Sequence, residues 1–366
     1  MLNGKMVAVV VPAYNEERQV GMVIETMPGF VDRIIVVDDC STDKTLEKVK
    51  SYLQTPHNKT SVSPVRKVLS RTYYNKADQL LEELNSNELS FFPPSELVNE
   101  QHATDRIILI RQLTNSGVGG AIARGYKWAK DHEIDCTAVM AGDGQMAPDE
   151  LESICTPVIN DEVDYVKGNR LIHGSANIFI PKTRFFGNSV LSLITKIASG
   201  YWRISDTQTG YTAISLNALR SIRLQDIYRR YGMPNDMLVK LNMAYCTIRE
   251  VPIRPVYRIG EQSKMKVNKV IPRISWLLFR SFFKRLWWKY FFRDFHPMFI
   301  LYNMAFVLFP LSIPFAVRII NYFVNDPSGE RPILNSIMFM FLIVSAFQSL
   351  LFAMWMDIQD NERLYK

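Results

Sequence analysis

From Met298 to Val317, and again from Ile333 to Met356, the chain carries no charged side chain. Each stretch is about 20 residues or longer, enough at ~1.5 Å per residue to cross the hydrocarbon core of a bilayer. Two transmembrane helices are therefore expected over residues 297–357. Pro310 and Pro314 imply a kink or a break in the first and leave a re-entrant course open. The link from Arg318 to Pro332 is short, so the two segments form a hairpin. Lys and Arg crowd before the first span and are few in the link. The positive-inside rule then puts the preceding domain and both termini in the cytosol, with the link outside and residues 358–366 as a cytosolic tail.

The formal charge is +7, and much of the excess lies between Arg254 and Arg293, next to the apolar region. That placement suits an anionic membrane surface better than a nucleic-acid groove, and no nucleic-acid partner is expected. Between Ile271 and Phe295 basic and bulky apolar residues alternate. Arg273, Arg280 and Lys284 share one helical face, whereas Lys289 and Arg293 drift to another. Residues 266–296 are read as amphipathic juxtamembrane helices with a bend, lying in the membrane interface. The cysteines Cys40, Cys136, Cys155 and Cys246 have no short pair spacing and read as reduced thiols. The scattered histidines argue against a histidine metal site. The N-terminus enters a strand within a few residues, and no cleavable signal peptide is visible.

Residues 1–265 carry a different rhythm. Val7 to Val11 is a continuous β-branched run, as in a strand buried on both faces. It is expected to stop at Pro12-Ala13-Tyr14-Asn15-Glu16, where Asn15 caps a helix from about Glu16 to Met27. Ile34 to Val37 repeats the pattern and ends in Asp38-Asp39-Cys40-Ser41-Thr42-Asp43 before a helix from Lys44 to Tyr52. Residues 54–104 break the alternation with proline-bearing polar patches around one helix-like piece, Lys76 to Leu84. They read as an insertion outside the sheet. After the strand Ile107 to Ile110 come Asn115 and a glycine turn, Gly117-Val118-Gly119, which opens a helix to about Lys130. As a nicotinamide fingerprint that turn is weak, since Ile122 holds the third position; as a close approach of a helix to a nucleotide it is reasonable.

The fourth strand ends in Ala141-Gly142-Asp143-Gly144-Gln145. One carboxylate and one amide oxygen at the carboxyl edge of a sheet can hold a hard divalent cation. The alternative is an ordinary turn using Gly and Asp for their backbone tolerance. A helix near Asp149 to Ile159, a strand Tyr165 to Lys167 ending in Gly168-Asn169-Arg170, a helix from Arg184 to Ser199 and the segment Asp206 to Tyr211 follow. Strands alternating with helices, with polar chemistry at the strand ends, indicate an α/β fold: a mostly parallel sheet with helices on both faces. Beyond Glu250-Val251-Pro252-Ile253, the loop Arg258 to Lys264 either folds over an anionic group or lies basic beside lipid headgroups.

Seven of these stretches occur in the order found in family 2 glycosyltransferases of the GT-A (Rossmann-like) fold. They are Pro12 to Glu16, Asp38 to Asp43, Asn115 to Ala121, Gly142 to Gln145, Gly168 to Arg170, Asp206 to Tyr211 and Arg258 to Lys264. Within that family the chain resembles polyprenyl-phosphate glycosyltransferases of the dolichol-phosphate mannose synthase type, whose lipid-anchored members carry a similar hairpin. The resemblance implies a nucleotide-sugar donor held by Pro12, Ala13, Tyr14, Glu16, Asp38, Asp39, Asn115 and Gly119. It implies Mg²⁺ or Mn²⁺ on Asp143 and Gln145, with Asp143 and Asp206 catalytic. A polyprenyl phosphate, undecaprenyl or dolichyl, would be held by Arg170, Arg184, Arg258, Ser263 and Lys264. The sugar would be transferred with inversion at the cytosolic face of a bacterial or archaeal inner membrane or of the endoplasmic reticulum.

Three departures matter. Ala141 stands where the family has the first Asp of its metal motif, and the 54–104 insertion exceeds the usual connection. Asn235-Asp236 stands where many relatives have Glu. Two other readings stay open. One is a membrane transferase that elongates a glycan or glycolipid, although the chain lacks a Gln-x-x-Arg-Trp motif. The other is a catalytically impaired sugar-nucleotide-binding scaffold, suggested by Ala141 and opposed by the retained Asp143, Gln145 and Asp206. Self-association also stays open.

Overall fold

The computed structural model describes residues 1–53, 64, 72–99, 104–172, 174, 182–256, 267–325 and 332–366. Strands β1 (Val7–Ala13), β2 (Arg33–Asp38), β4 (Ile107–Gln112) and β5 (Cys136–Val139) form the parallel heart of a sheet with order β3-β4-β2-β1-β5-β7-β6-β8. Successive strand residues face opposite ways. Ala8, Val10, Ile35 and Val37 therefore pack on one side against α4 (Val118–Asp131). Val7, Val9, Val11, Ile34 and Val36 pack on the other, against α1 (Val20–Glu25), α2 (Thr45–Leu53) and α5 (Leu151–Ile159).

The sheet is mostly parallel, as expected, but mixed. β7 (Thr212–Ser215) runs antiparallel between β5 and β6 (Tyr165–Asn169), and β8 (Ile248–Pro252) lies parallel to β6. Because β7 runs backwards, its beginning lies at the carboxyl ends of β5 and β6. That reversal delivers the segment ending at Tyr211 to the edge where the forward strands finish.

Three expectations change. The β1 ladder continues past Pro12 to pair Ala13 with Asp38. Helix α1 starts only at Val20, because the residues before it are tied across to the β2 loop: Glu16 N–H donates to Thr45 Oγ1 at 2.8 Å and Glu17 N–H to Asp43 Oδ2 at 3.2 Å. Asn15, at φ 56°, accepts Thr42 N–H at 2.8 Å instead of capping the helix. The insertion does not lie wholly outside the sheet. Its helix α3 (Lys76–Asn87) is followed by β3 (Ser95–Leu97), an antiparallel edge strand on β4. Lys130 of α4 holds it through Glu88 at 2.8 Å.

Behind the sheet, α6 (Lys182–Ser199), α7 (Leu216–Ser221) and α8 (Met233–Met243) precede α9 (Val267–Trp287). Ile274, Leu278, Phe282 and Leu286 repeat every four residues on α9 and bury one face against α6 and α8. Arg273, Trp276, Phe279, Arg280 and Lys284 occupy its exposed face. The expected bend is a single π-helical turn, Trp288–Arg293. Then come α10 (Pro297–Asn325) and α11 (Ile333–Glu362), which pack together and are long and apolar enough to cross a membrane. Pro310 and Pro314 sit within a continuous α10, so neither breaks it.

Only residues 326–332 separate these two helices. Fully extended they reach at most about 28 Å, less than the roughly 43 Å length of a 29-residue helix. The packed pair must therefore run antiparallel. The chain's last residues are not a free tail: α11 continues to Glu362, Leu364 enters the core, and Ile248 N–H and Lys366 N–H exchange bonds across β8 (2.8 Å to Leu364 O, 3.0 Å to Ile248 O). Both ends of the hairpin thus meet the sheet domain on one side.

Candidate active site

The turn that follows β5 hangs from β1. Met140 N–H donates to Val10 O at 3.0 Å and Gly142 N–H to Pro12 O at 3.2 Å, which fixes the path of the chain beyond β5. Asp143 Oδ1 then accepts Gln145 N–H at 3.0 Å, with Gly144 at φ 74° turning the backbone. Tyr211 OH bonds Ala147 O at 2.9 Å and ties this turn to the segment before β7. Among the described residues no three His, Cys, Asp or Glu side chains converge as a metal cluster. The half-buried Asp143 and Gln145 offer a carboxylate and an amide oxygen. Such a donor set fits Mg²⁺ or Mn²⁺ whose remaining positions are filled by diphosphate and water oxygens.

Asp38 and Asp39, neighbours in sequence, have different partners. Asp38 is 1% exposed; its Oδ2 accepts Ser41 N–H at 3.4 Å, and its Oδ1 is buried without a partner among the described residues. Burial pushes this carboxyl above its ordinary value, and Ser41 and Arg111 only partly offset the shift. A buried, under-bonded acceptor beside Ala13 suits an N–H donor such as that of a nucleotide base. Pro12, Ala13 and the half-exposed Tyr14 and Glu16 continue from the same strand end.

Asp39 instead holds the glycine turn. Its Oδ1 accepts Ser116 N–H at 2.7 Å and its Oδ2 accepts Gly117 N–H at 2.8 Å, so both oxygens have partners within the protein. Asn115 Nδ2 reaches Asp39 O at 3.4 Å. Gly119 also departs from its expected role. Its N–H donates to Arg229 O at 2.8 Å, and a Cβ there would lie 2.0 Å from Tyr228 O. The turn is glycine-rich so that the 228–230 backbone can approach, and that backbone caps the start of α4 where a phosphate would sit.

Asp206, 2% exposed, lies in the segment leading into β7 and meets Arg170 just beyond the end of β6. Arg170 Nε reaches Oδ2 at 2.8 Å and Nη2 reaches Oδ1 at 3.0 Å, a two-pronged pair to which Arg170 N–H adds a bond at 3.1 Å. Gln208 N–H donates to Oδ1 at 3.3 Å. Burial alone would raise this carboxyl, but the bonds and charge of Arg170, with the charge of Lys167, hold it below the ordinary value. Lys167 is fully buried and donates to Thr209 O. Burial brings it down to about 8, against the opposing pull of Asp206 and Glu250.

Arg184 lies in the first turn of α6, and its side chain falls outside the described residues, as do Arg258, Ser263 and Lys264. Asn235 and Asp236 are internal: Asn235 Oδ1 accepts Thr195 Oγ1 at 3.0 Å and Gln208 Nε2 at 2.9 Å, while Asp236 accepts Tyr228 N–H at 2.8 Å. Lys167, Glu250 and Arg254 had no expected role. Arg254 Nε bonds Glu150 at 3.1 Å and its Nη2 bonds Asp149, so the end of β8 is tied to the exit of the Asp143 turn. A lysine inside the apolar strand pattern of β6 is the one local signal that sequence reading had for Lys167.

The family model described as Glycosyl transferase family 2 matches residues 8–76 and 94–223. A UDP-N-acetylglucosamine–dolichyl-phosphate N-acetylglucosaminyltransferase of Methanococcus voltae is 30% identical over 254 residues, 69% of this chain and 86% of that protein. An undecaprenyl-phosphate mannosyltransferase of Micrococcus luteus is 30% identical over 43% of this chain and 64% of its own length. Among solved structures, glucosyl-3-phosphoglycerate synthase of Mycobacterium tuberculosis, with Mn²⁺, UDP-glucose and phosphoglyceric acid, matches at TM-score 0.47 and 17% identity, covering 77% of this chain and 80% of that one.

Proposed function

The chain belongs to glycosyl transferase family 2, and from that premise we propose that it transfers a sugar, with inversion, from a nucleotide-sugar to a polyprenyl phosphate at the cytosolic face of a membrane. The observation that carries this reading is the pairing of Asp206 with Arg170. A hydroxyl acceptor needs a general base to take its proton. Asp206 has both oxygens bonded to Arg170 and an acidity strengthened by that pair, which makes it a poor base. A lipid monophosphate needs little help, because its second ionisation lies at about pH 6. The named substrates of the Methanococcus and Micrococcus relatives, dolichyl and undecaprenyl phosphate, agree with this acceptor class.

In this reading Pro12, Ala13, Tyr14, Glu16 and Asp38 hold the nucleotide at the ends of β1 and β2. Asp143 and Gln145 would hold the divalent cation, which supplies charge neutralisation for the departing diphosphate. Asp206 fixes Arg170, and Arg170, Arg184, Arg258, Ser263 and Lys264 serve the acceptor phosphate. The exposed cations and aromatics of α9 rest against lipid headgroups.

Purified protein supplied with a panel of nucleotide-sugars beginning with UDP-N-acetylglucosamine, with and without polyprenyl phosphate, tests the reaction. Polyprenyl-phosphate-dependent consumption of donor, with an inverted anomer in the product, is expected. Transfer only to a glycan hydroxyl would sink the proposal. In the same assay Asp143→Ala should lower kcat about 10²–10³-fold, and nucleotide binding should lose its response to Mg²⁺ or Mn²⁺. Full activity in chelator would remove the cation from the scheme.

Orientation has its own test. A cysteine at Ser328, in the link, should react with an impermeant thiol reagent added to intact cells, while one appended after Lys366 stays unlabelled. The reverse pattern would put the active site on the outer face.

A further inference from the structure

Glu250 lies on β8, on the same rung as Lys167 of β6. Its carboxylate gathers donors from one short segment. Ser205 N–H reaches Oε1 at 3.0 Å and Oε2 at 3.1 Å, Ser205 Oγ reaches Oε2 at 3.1 Å, and Asp206 N–H reaches Oε1 at 3.0 Å. From the other side Asn169 Nδ2 donates to Ser205 Oγ. Asp206 therefore owes its place to an anion behind its own backbone, and we infer that Glu250 is a positioning residue of the transfer reaction, setting where the Asp206–Arg170 pair stands relative to the acceptor. This inference rests on the function proposed above.

The chemistry is more specific than a loop anchor requires. Among the described residues no lysine or arginine bonds Glu250 directly, so its charge is answered by amide and hydroxyl dipoles. Two anions, Asp206 and Glu250, and two cations, Lys167 and Arg170, make up the charged groups that act on one another here. Removing the Glu250 charge withdraws one of the two anions that keep Lys167 protonated, and Lys167 in turn supports the ionised state of Asp206. Glu250 is half-buried, and its neighbours Ile248 and Pro252 hold β8 by backbone pairing that the side chain does not make. Substitution therefore tests the carboxylate and leaves the strand's ladder in place.

The experiment uses the full chain in detergent or bilayer discs, with polyprenyl phosphate and the donor of the panel that wild-type protein uses. Glu250→Gln keeps the shape and one acceptor oxygen; Glu250→Ala keeps neither. Expected values of kcat fall about tenfold for Gln and about a hundredfold for Ala, as for the loss of one and then several organising bonds. The donor KM and the thermal midpoint should stay near wild type. Burial brings Lys167 down to about 8; where its deprotonation sets an alkaline limb of kcat, that limb should move to lower pH in Glu250→Gln. Unchanged kcat in both variants overturns the inference. So does a fall in kcat matched by equal losses of donor affinity and thermal stability, because that is the signature of a loop anchor alone. Wild-type transfer to an acceptor other than polyprenyl phosphate would sink the functional reading instead, and the Glu250 series would then be scored on that acceptor.

Discussion

Arg285→Ala is expected to destabilise the full-length protein by about 3–5 kcal/mol, because it strands a buried carboxylate. Arg285 and Asp357 are 1% and 0% exposed, and they meet through two parallel bonds of 2.8 Å. The guanidinium also donates to Ile197 O at 3.0 Å, and Asn361 Nδ2 supports Asp357 Oδ1 at 2.8 Å. One pair thus joins α9, the end of α6 and the final turns of α11, where the hairpin reaches the sheet domain. At 1 kcal/mol per roughly 2–4 °C, the thermal midpoint should fall by about 10 °C. The double variant Arg285→Met/Asp357→Leu is the informative partner: with both charges gone it should recover most of that loss, since apolar replacements of buried ion pairs are often neutral or better. An unchanged midpoint in Arg285→Ala would show that Asp357 reaches water or another cation. Loss in the double variant equal to that of the single would place the stabilisation in shape, not charge.

This pair also marks where sequence reading stopped. In the alternating basic and aromatic segment every cation looked suited to headgroups. Arg273, Arg280 and Lys284 are exposed as expected, but Arg285 and Lys289 are buried against α11, and their partners lie about 70 positions further along. Periodicity gives the face of a helix; it does not say which distant element covers that face. The same limit explains β3, which is short and half-exposed, and β7, whose four residues leave too little pattern to reveal an antiparallel strand. By contrast β1, β2, β4 and β5 were legible because strands covered on both faces must be apolar almost throughout, and α10 and α11 because Met298 to Val317 and Ile333 to Met356 are uncharged over a length sufficient to cross a membrane.

At the site, the sequence located chemistry but not direction. Asp38 and Asp39 are indistinguishable as letters. A strand end sends consecutive side chains to opposite sides, so one carboxylate keeps an under-bonded oxygen while the other clamps the Ser116–Gly117 backbone. Gly119 could be read as permitting a close approach, yet the approaching group, Tyr228 O, comes from a segment about 110 residues away. Glu250 was invisible for the same reason: its meaning lies in the backbone it faces across β6.

Asp206→Asn is expected to lower kcat by about 10²–10³-fold with little change in donor binding. An asparagine presents one acceptor oxygen and one N–H₂ group, so it cannot receive Arg170 Nε and Nη2 together; one prong is lost and the other group opposes a donor. Arg170→Lys should behave similarly, because an ammonium cannot reproduce the planar fork. The pH profile separates positioning from base catalysis. Asp206 is already ionised above the ordinary carboxylate range, since Arg170 and Lys167 outweigh the effect of burial. Its own titration therefore lies below that range and leaves no limb near neutrality. The acid limb of kcat/KM for the acceptor should instead lie near pH 6, where the lipid phosphate takes its second charge. Because that limb belongs to the acceptor, it should persist at the same pH in the residual activity of Asp206→Asn. If the limb vanishes in the variant, so that the rate becomes flat with pH or depends only on hydroxide, Asp206 takes the acceptor's proton. The acceptor would then be a hydroxyl, and its assignment as a phosphate would fall with the limb.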